Sequence, residues 1–490
     1  MRVTNLITAS VAAALLAGCV VPPQETPHPQ QLANTRLGLA GLAAEPVAES
    51  WWDSFQDPQL GRLIQLGLQN SPTLAQAQSR VAEALAQTES AHSKLLPNVK
   101  GSASTFYSRG PENYFAPPPY AGHTFSEGQA GASLGWDLDF FGRQSSALHS
   151  AQALAQAARF DEESARLLLA GAIAQTYLEL YRQHALADIA ERSEAQRQNI
   201  VSITQRRVAA GLDTRLELKQ AEGQLPQARV DREQAQAAVE VAIHQLAALT
   251  GQGADAYKDV TRPTLSVEAA LPVPTALPIN LLARRPDVLS ARLSVEAADA
   301  QRLSAKAAFY PDISLQAIAG IGAFGLSNLV KWSARGGGVG PVLSLPLFDG
   351  GLLRAQYRGS EAQLDAAIDG YNDTVLRAVQ QTSDRITQLD ALAHERVDQQ
   401  ETLDANEVAY HLAEERYKAG LASYLTVLNA ETLVLAARQN MVDILTTQAN
   451  TRITLLLAVG GSFDPRTTGA AVANASASPS ASPLLTQSKP

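Results

Sequence analysis

Cysteine is nearly absent. Cys19 is the only one in 490 residues, so no intramolecular disulfide can form and there is no cysteine framework. Long apolar runs are missing too: beyond the amino-terminal stretch nothing approaches 18 consecutive apolar positions, so no transmembrane helix is expected there. A membrane crossing by this part of the chain would have to be a closed barrel. Positive charge is short as well, with 39 Lys and Arg against 48 Asp and Glu, a net charge of −9 and no charge blocks. That removes the electrostatic footprint of a nucleic-acid partner. The eight histidines are scattered without an i, i+4 pair, and neither a phosphate-cradling glycine loop nor a zinc motif occurs. Catalysis, a cofactor and a metal site therefore find no support. Asp137 and Asp139 look like a carboxylate pair, but both fall on the polar side of an alternating segment, where solvation accounts for them.

Of what is present, the amino terminus speaks first. Met1-Arg2 precede a short apolar run, Leu6 to Ala17, that closes with Leu16-Ala17-Gly18-Cys19 and resembles a bacterial lipoprotein signal cleaved just before its cysteine. Residues 1–18 are read as signal peptide, Cys19 as the lipid-attachment site and 19–50 as a lipid-anchored linker. Each acyl methylene buried in a membrane contributes roughly 0.8 kcal/mol, and stable anchoring takes more than one chain. Val20 after the cysteine is compatible with sorting to the outer membrane.

The rest of the sequence is written twice. The spacing from Pro72 to Pro97 recurs from Pro286 to Pro311; Ala210-Gly211-Leu212 recurs as Ala419-Gly420-Leu421, and Leu246 with Gly251 as Leu455 with Gly460. A period of about 210 residues is far longer than a solenoid repeat and marks a duplicated half-protein. Residues 51–250 form the first repeat, 251–285 a connecting segment, 286–464 the second repeat, and 465–490 an Ala/Ser/Pro-rich tail expected to be disordered. Each repeat carries two alternating segments, near 97–108 and 129–141, then 311–322 and 338–348. Val99, Gly101, Ala103 and Ala130, Ala132, Leu134, Trp136, for example, share one parity, with polar or glycine residues between them. The lengths suit tilted membrane strands. Two hairpins cannot close a barrel in one chain, so either the strands form a small soluble sheet or several subunits share one barrel.

Proline-free stretches at 144–210 and 353–419 predict long helices of about 100 Å each. Ile173, Tyr177, Leu180 and His184 mark a buried face. Return helices are expected at 214–250 and 423–459, the first kinked by Pro226 where the second has Leu435, so that the two hairpins differ in shape.

Trp51-Trp52-Asp53-Ser54-Phe55-Gln56-Asp57-Pro58, Leu281-Leu282-Ala283-Arg284-Arg285-Pro286-Asp287, Ala307-Ala308-Phe309-Tyr310-Pro311 and Arg416-Tyr417-Lys418-Ala419-Gly420-Leu421 occur in order at repeat-consistent spacing. Together they resemble the TolC-like outer-membrane factors of tripartite efflux pumps, in the lipoprotein branch called NodT. The resemblance implies a mainly α fold with a small transmembrane β part: a homotrimer whose four strands per chain build a twelve-stranded barrel continued by a helical periplasmic tunnel. It implies no enzyme activity and no cofactor. The implied partners are a periplasmic adaptor (membrane fusion protein), an inner-membrane pump of the resistance-nodulation-division type and outer-membrane lipid, and the implied work is export of small molecules such as drugs. A type I protein-secretion conduit and a lipid-anchored coiled-coil scaffold without a pore stay open as alternatives.

In the family, acidic rings on the return helix past the turn line the periplasmic aperture. The matching positions here are Thr426 and Asn429, neither acidic; the first repeat places Glu217 and Gln220 there, with Asp213 at the turn, and Leu425 stands beside the ring as an apolar constriction or as interhelical packing. Gly211-Leu212 and Gly420-Leu421 resemble the tips that touch the adaptor, and glycine there also suits a chain reversal after a helix.

Cys19→Ser is expected to abolish incorporation of labelled palmitate and lipoprotein-type cleavage. Label retained in the mutant would overturn the assignment.

Overall fold

The structure is a computed structural model that describes residues 50–113, 120–253, 259–268 and 280–464, together with residues 23, 27–32, 37, 39, 47, 48, 255, 271 and 273–278. Cys19 and the tail from 465 lie outside the described residues. A 3-10 turn at Trp51–Phe55 leads into α1 (Pro58–Asn70) and α2 (Pro72–Ser93), then β1 (Asn98–Arg109), β2 (Thr124–Asp137), α3 (Arg143–Ala209) and α4 (Arg215–Leu249). The second half repeats the order with α5 (Leu281–Arg284), α6 (Pro286–Ala307), β3 (Asp312–Phe324), β4 (Arg335–Ser344), α7 (Leu352–Lys418) and α8 (Tyr424–Ala458). The fold is mostly helical with one four-stranded antiparallel sheet.

Proline and glycine punctuate it. Pro58, Pro72 and Pro286 open helices at the first position, where the missing N–H has no intrahelical partner to lose. At the other ends Gly211, Gly251, Gly420 and Gly460 all take positive φ, between 71° and 97°. Leu212 N–H donates to Arg207 O and Leu421 N–H to Arg416 O, both at 2.8 Å, the bonds that close a helix over a left-handed residue. α4 is continuous through Pro226.

The strands pair in the order β1-β2-β3-β4, and the register keeps the parity seen in the sequence. Val99 faces Leu134, Leu134 faces Ala317 and Ala317 faces Val339, so one apolar rung crosses all four strands; Trp136, Leu315 and Pro341 form another. On the other face Ser102, Gly131, Gly320 and Gly336 line up, with Lys100 and Ser133 beside them and Ile318 as the apolar exception. β2 starts at Thr124, ahead of the alternation, because Thr124–Gly128 pairs with Thr105–Arg109. It also ends earlier than the pattern suggests. Asp139 is not on a strand face: at φ 41° its carboxylate accepts from the Gln144 and Ser145 N–H groups at 2.8 Å and caps α3. Asp349 does the same for α7 through Leu353 N–H. Alternation continues past the strand end here because a helix cap needs a carboxylate where the strand pattern also expects a polar residue.

Two compact units emerge, each from discontinuous segments. Among the described residues, one comprises those up to Gln31 with Arg80–Arg159 and Ser290–Asn372; the other comprises those within Leu32–Ser79, Phe160–Leu289 and from Asp373 to Asp464. The first holds the sheet, and beneath it Phe309 meets the fully buried Tyr357 edge-on at 6.1 Å. The second has a core of Trp51, Phe55, Ile64, Ile173, Tyr177, Leu180, Leu246 and Ile453. Ile173, Tyr177 and Leu180 are wholly buried, as the periodicity predicts, while His184 is half-buried.

Two quoted motifs have structural explanations inside this second unit. Asp57, buried, accepts from Gln59 N–H at 2.9 Å, the Tyr177 hydroxyl at 2.7 Å and Thr264 N–H at 2.8 Å, tying the start of α1 to α3 and to the connecting segment. Arg285 grips Asp287 through two nitrogens at 3.0 and 2.7 Å and donates to Ala458 O at 2.9 Å, fastening the entry of α6 to the end of α8.

A Cβ on Gly460 would stand 2.0 Å from Arg284 O, whereas one on Gly211 meets nothing within 4 Å. Gly211→Ala should therefore cost only left-handed strain, about 1–2 kcal/mol, and Gly460→Ala that strain plus overpacking of about 1–3 kcal/mol. Denaturation midpoints of the two variants check the order, and equal midpoints would refute it.

Candidate functional site

The α3–α4 and α7–α8 reversals are two copies of one hairpin end, both in the second unit. They differ in charge and packing. In the first, Thr214 and Glu217 form a capping box: the Thr214 hydroxyl accepts from Leu216 N–H at 3.1 Å, and the Glu217 carboxylate accepts from Thr214 N–H at 3.0 Å and from the Thr214 hydroxyl. In the second, Ser423 makes no side-chain cap bond to the backbone, and its hydroxyl lies 3.2 Å from that of Thr426. Glu217 thus has a local task as well as a place among the expected aperture residues.

The other expected residues lie at the surface. Gln220, Thr426 and Asn429 are exposed, Leu425 is 59 % exposed, and Leu428 packs against the hairpin core. Gly211 and Gly420 are exposed, with Leu212 at 64 % and Leu421 at 70 %. Leu212 and Leu216 in one hairpin and Leu421 and Leu425 in the other give each end the same uncovered apolar pair.

Beneath this surface the two hairpins are bolted together by residues that no repeat pattern reveals. Arg207 donates to the Asp213 carboxylate from Nε at 2.8 Å and Nη2 at 3.1 Å, and to Tyr417 O at 2.8 Å. The Tyr417 hydroxyl donates to Asp213 at 2.7 Å and lies 2.9 Å from the Thr204 hydroxyl, and the Arg207 guanidinium sits 4.6 Å from the centre of the Tyr417 ring. Tyr417 is wholly buried. The hydrogen bond from Arg207 holds the Asp213 carboxyl below the usual carboxylate range, while burial pushes the Tyr417 hydroxyl up to about 12. Asp213 therefore does not stand at the tip as a free charge: its carboxylate is 10 % exposed and neutralised. The only sequence signal for this latch is Tyr417 itself, a large aromatic where the first repeat has Val208.

A second tie lies deeper. Glu431, 4 % exposed, accepts from Arg197 Nε at 3.1 Å, and Arg197 donates to Gln224 O at 3.2 Å, so α3, α4 and α8 share one buried ion pair. Burial raises the Glu431 pKa despite Arg197. Its repeat partner Glu222 instead pairs with Lys219 at 2.6 Å near the surface, because the second repeat has Asn406 where the first has Arg197.

The arrangement offers no nucleophile with a base and no cofactor cradle among the described residues. His411, Glu414 and Glu415 come within metal-ligand range on α7, but Lys418 already pairs with both carboxylates at 3.0 and 3.1 Å.

The sequence profile described as outer membrane efflux protein matches residues 63–252 and 277–461, one block for each repeat. The chain belongs to the outer membrane efflux protein family. Members of this family are transport channels of the bacterial outer membrane rather than enzymes. The chain is 31 % identical over 481 residues to the multidrug resistance outer membrane protein MdtP of Escherichia coli, covering 94 % of this chain and 97 % of that one. It is 34 % identical over 360 residues to the fusaric acid resistance protein FusA of Burkholderia cepacia, covering 71 % and 67 %. Among solved structures, the outer membrane protein VceC of Vibrio cholerae superposes with a TM-score of 0.80 at 31 % identity, over 85 % of this chain and all of that one.

Because the native Asp213 pKa lies below its unfolded value near ~4, the stability it confers is complete above that pH and is lost as pH falls through the lowered native value. Amide protection in 205–215 and 415–422 should drop in that window. Asp213→Asn should cost about 1–3 kcal/mol at neutral pH and flatten the acid dependence. A wild-type profile in the mutant would show that the latch does not hold the hairpins together.

Proposed function

We propose that three copies of this chain close one twelve-stranded barrel in the outer membrane and continue it as a helical conduit, through which small molecules such as drugs leave the cell. One observation carries this reading: the sheet has an uninterrupted apolar rung on one face and two open edges, β1 and β4. The apolar face of the sheet supports its reading as the membrane-crossing element. Four strands cannot close, and three sets of four can.

The hairpin ends meet a periplasmic adaptor through Leu212 and Leu421 beside Gly211 and Gly420, and the adaptor joins the channel to an inner-membrane pump of the resistance-nodulation-division type. Two exposed leucines per hairpin are a compact apolar surface suited to burial against a partner. The aperture is lined by Glu217 and Gln220 from one hairpin and by Leu425, Thr426 and Asn429 from the other. Three acyl chains on Cys19 fix the assembly to outer-membrane lipid.

Purified full-length protein in planar bilayers tests this. It should run as a trimer in mild detergent and form discrete pores; a monodisperse monomer without conductance would refute the channel reading. In the same apparatus Asn429→Asp should raise the cation-to-anion permeability ratio, since three added charges in a narrow, partly desolvated ring act more strongly than in bulk water. An unchanged reversal potential in a salt gradient would remove Asn429 from the aperture.

A further inference from the structure

The apolar face of the sheet carries charge of one sign only. By register, the odd positions of β1, β3 and β4 and the even positions of β2 share this face. The charged residues among them are Arg109, the last of β1, and Arg335, the first of β4. Every acidic residue of the strands, Glu127, Asp137 and Asp312, falls on the opposite face. Both arginines stand at the end of the sheet where the hairpin turns lie, and the helices join the other end.

The β3–β4 turn leans over the same face. Gly128 belongs to that face, and a Cβ there would stand 2.6 Å from a Leu329 methyl and 3.0 Å from one of Leu326. Trp332, which opens the 3-10 turn before β4, is 78 % exposed, and the Arg335 guanidinium lies 3.8 Å from the centre of its ring. Lys331 and Arg109 are exposed and make no ion pair with a described residue. Tyr107, 82 % exposed, precedes Arg109 on this face.

A cation that faces lipid is costly at mid-depth and tolerated near the headgroups, and tryptophan and tyrosine are enriched at that level. Depth alone does not ask for a single sign. Guanidinium groups match phosphate oxygens in a planar fork, and stacking on Trp332 holds one of them while its N–H edge stays open.

We propose that Lys331, Trp332 and Arg335, with Arg109 on the sheet's other edge, form a collar that binds the phosphate groups of a phosphorylated glycolipid in the outer leaflet. The inference rests on the reading of the sheet as part of a membrane barrel continued by helices in the periplasm, which turns the hairpin end outward. Closure also sets β4 of one copy beside β1 of the next, so each segment of the collar draws its cations from two copies.

The test follows full-length trimer by native mass spectrometry while bisphosphorylated lipid A is titrated in mild detergent. Saturable binding is expected. Arg335→Gln and Arg109→Gln should each weaken it about fivefold, the effect of one basic side chain near an anionic lipid surface. Lys100→Gln, on the opposite face, should leave it unchanged. Dephosphorylated lipid A should bind the unmodified protein about fivefold more weakly or worse, an arm that needs no variant to fold. Excess inorganic phosphate should not displace the lipid. Planar-bilayer conductance is recorded on the same samples. In a conducting trimer, absence of saturable binding, equal affinity of wild type and Arg335→Gln, weakening by Lys100→Gln equal to theirs, equal affinity for the two lipids, or displacement by free phosphate would each overturn the collar and leave the barrel reading standing. A wild-type chain that neither trimerises nor conducts would overturn both.

Discussion

An unpaired backbone amide in hydrocarbon costs several kcal/mol, and both outer strands of this sheet carry a full row of such groups. That constraint organises the rest. A four-stranded sheet with an apolar rung running from edge to edge suits neither medium alone: in water it exposes the rung, and in lipid it exposes the edges. Closure with further copies removes both penalties at once. α3 and α7, 67 residues each, are the longest elements outside the sheet.

Duplication supplies the frame, and divergence supplies the working detail. The four helix stops share the same left-handed glycine solution in both repeats, so hairpin geometry has been copied faithfully. Side-chain tasks have not. The first hairpin caps α4 with Thr214 and Glu217, whereas the second presents Ser423 and Thr426 and so leaves the first turn of α8 uncharged. Tyr417 occupies the interior of the joint as a single large group against Arg207 and Asp213, and the equivalent position in the first repeat is Val208. Such asymmetry lets one joint between two nearly identical hairpins be latched by one set of bonds.

Much of this was legible in the residue pattern. Proline at helix starts, glycine at helix ends and two-residue alternation between them are local signals, and the elements they mark are the ones the chain forms. The signals lost force where a residue's role depends on partners far away in sequence. Asp139 continues the polar phase of β2 and yet belongs to the cap of α3, because both roles ask for a carboxylate. Glu222 and Glu431 are equivalent in the repeat and opposite in environment, since only one of them has an arginine opposite it on the neighbouring helix. The Arg207–Asp213–Tyr417 latch joins positions some two hundred residues apart, which periodicity does not record. The exposed positions around Asn429 stand out by family resemblance, whereas the buried bonds behind them exist only between residues brought together in three dimensions.

The two ties at the hairpin ends respond to acid in opposite senses, which separates their roles. Asp213 is stabilised as an ion by Arg207, so its protonation on descending pH removes a bond from the latch. Glu431 is penalised as an ion by burial, so its protonation relieves a desolvation cost while releasing Arg197 to the carbonyl of Gln224 alone. Removing either partner of a buried pair leaves an uncompensated charge, which is more damaging than replacing both by apolar groups. The latch at Tyr417 thus works through bonds that neutral pH strengthens. The Glu431 tie serves chiefly to fix which helices neighbour one another. The two ties thus differ in kind: bonds at the end that acid weakens, and a buried pair behind them whose carboxylate acid relieves of a desolvation cost.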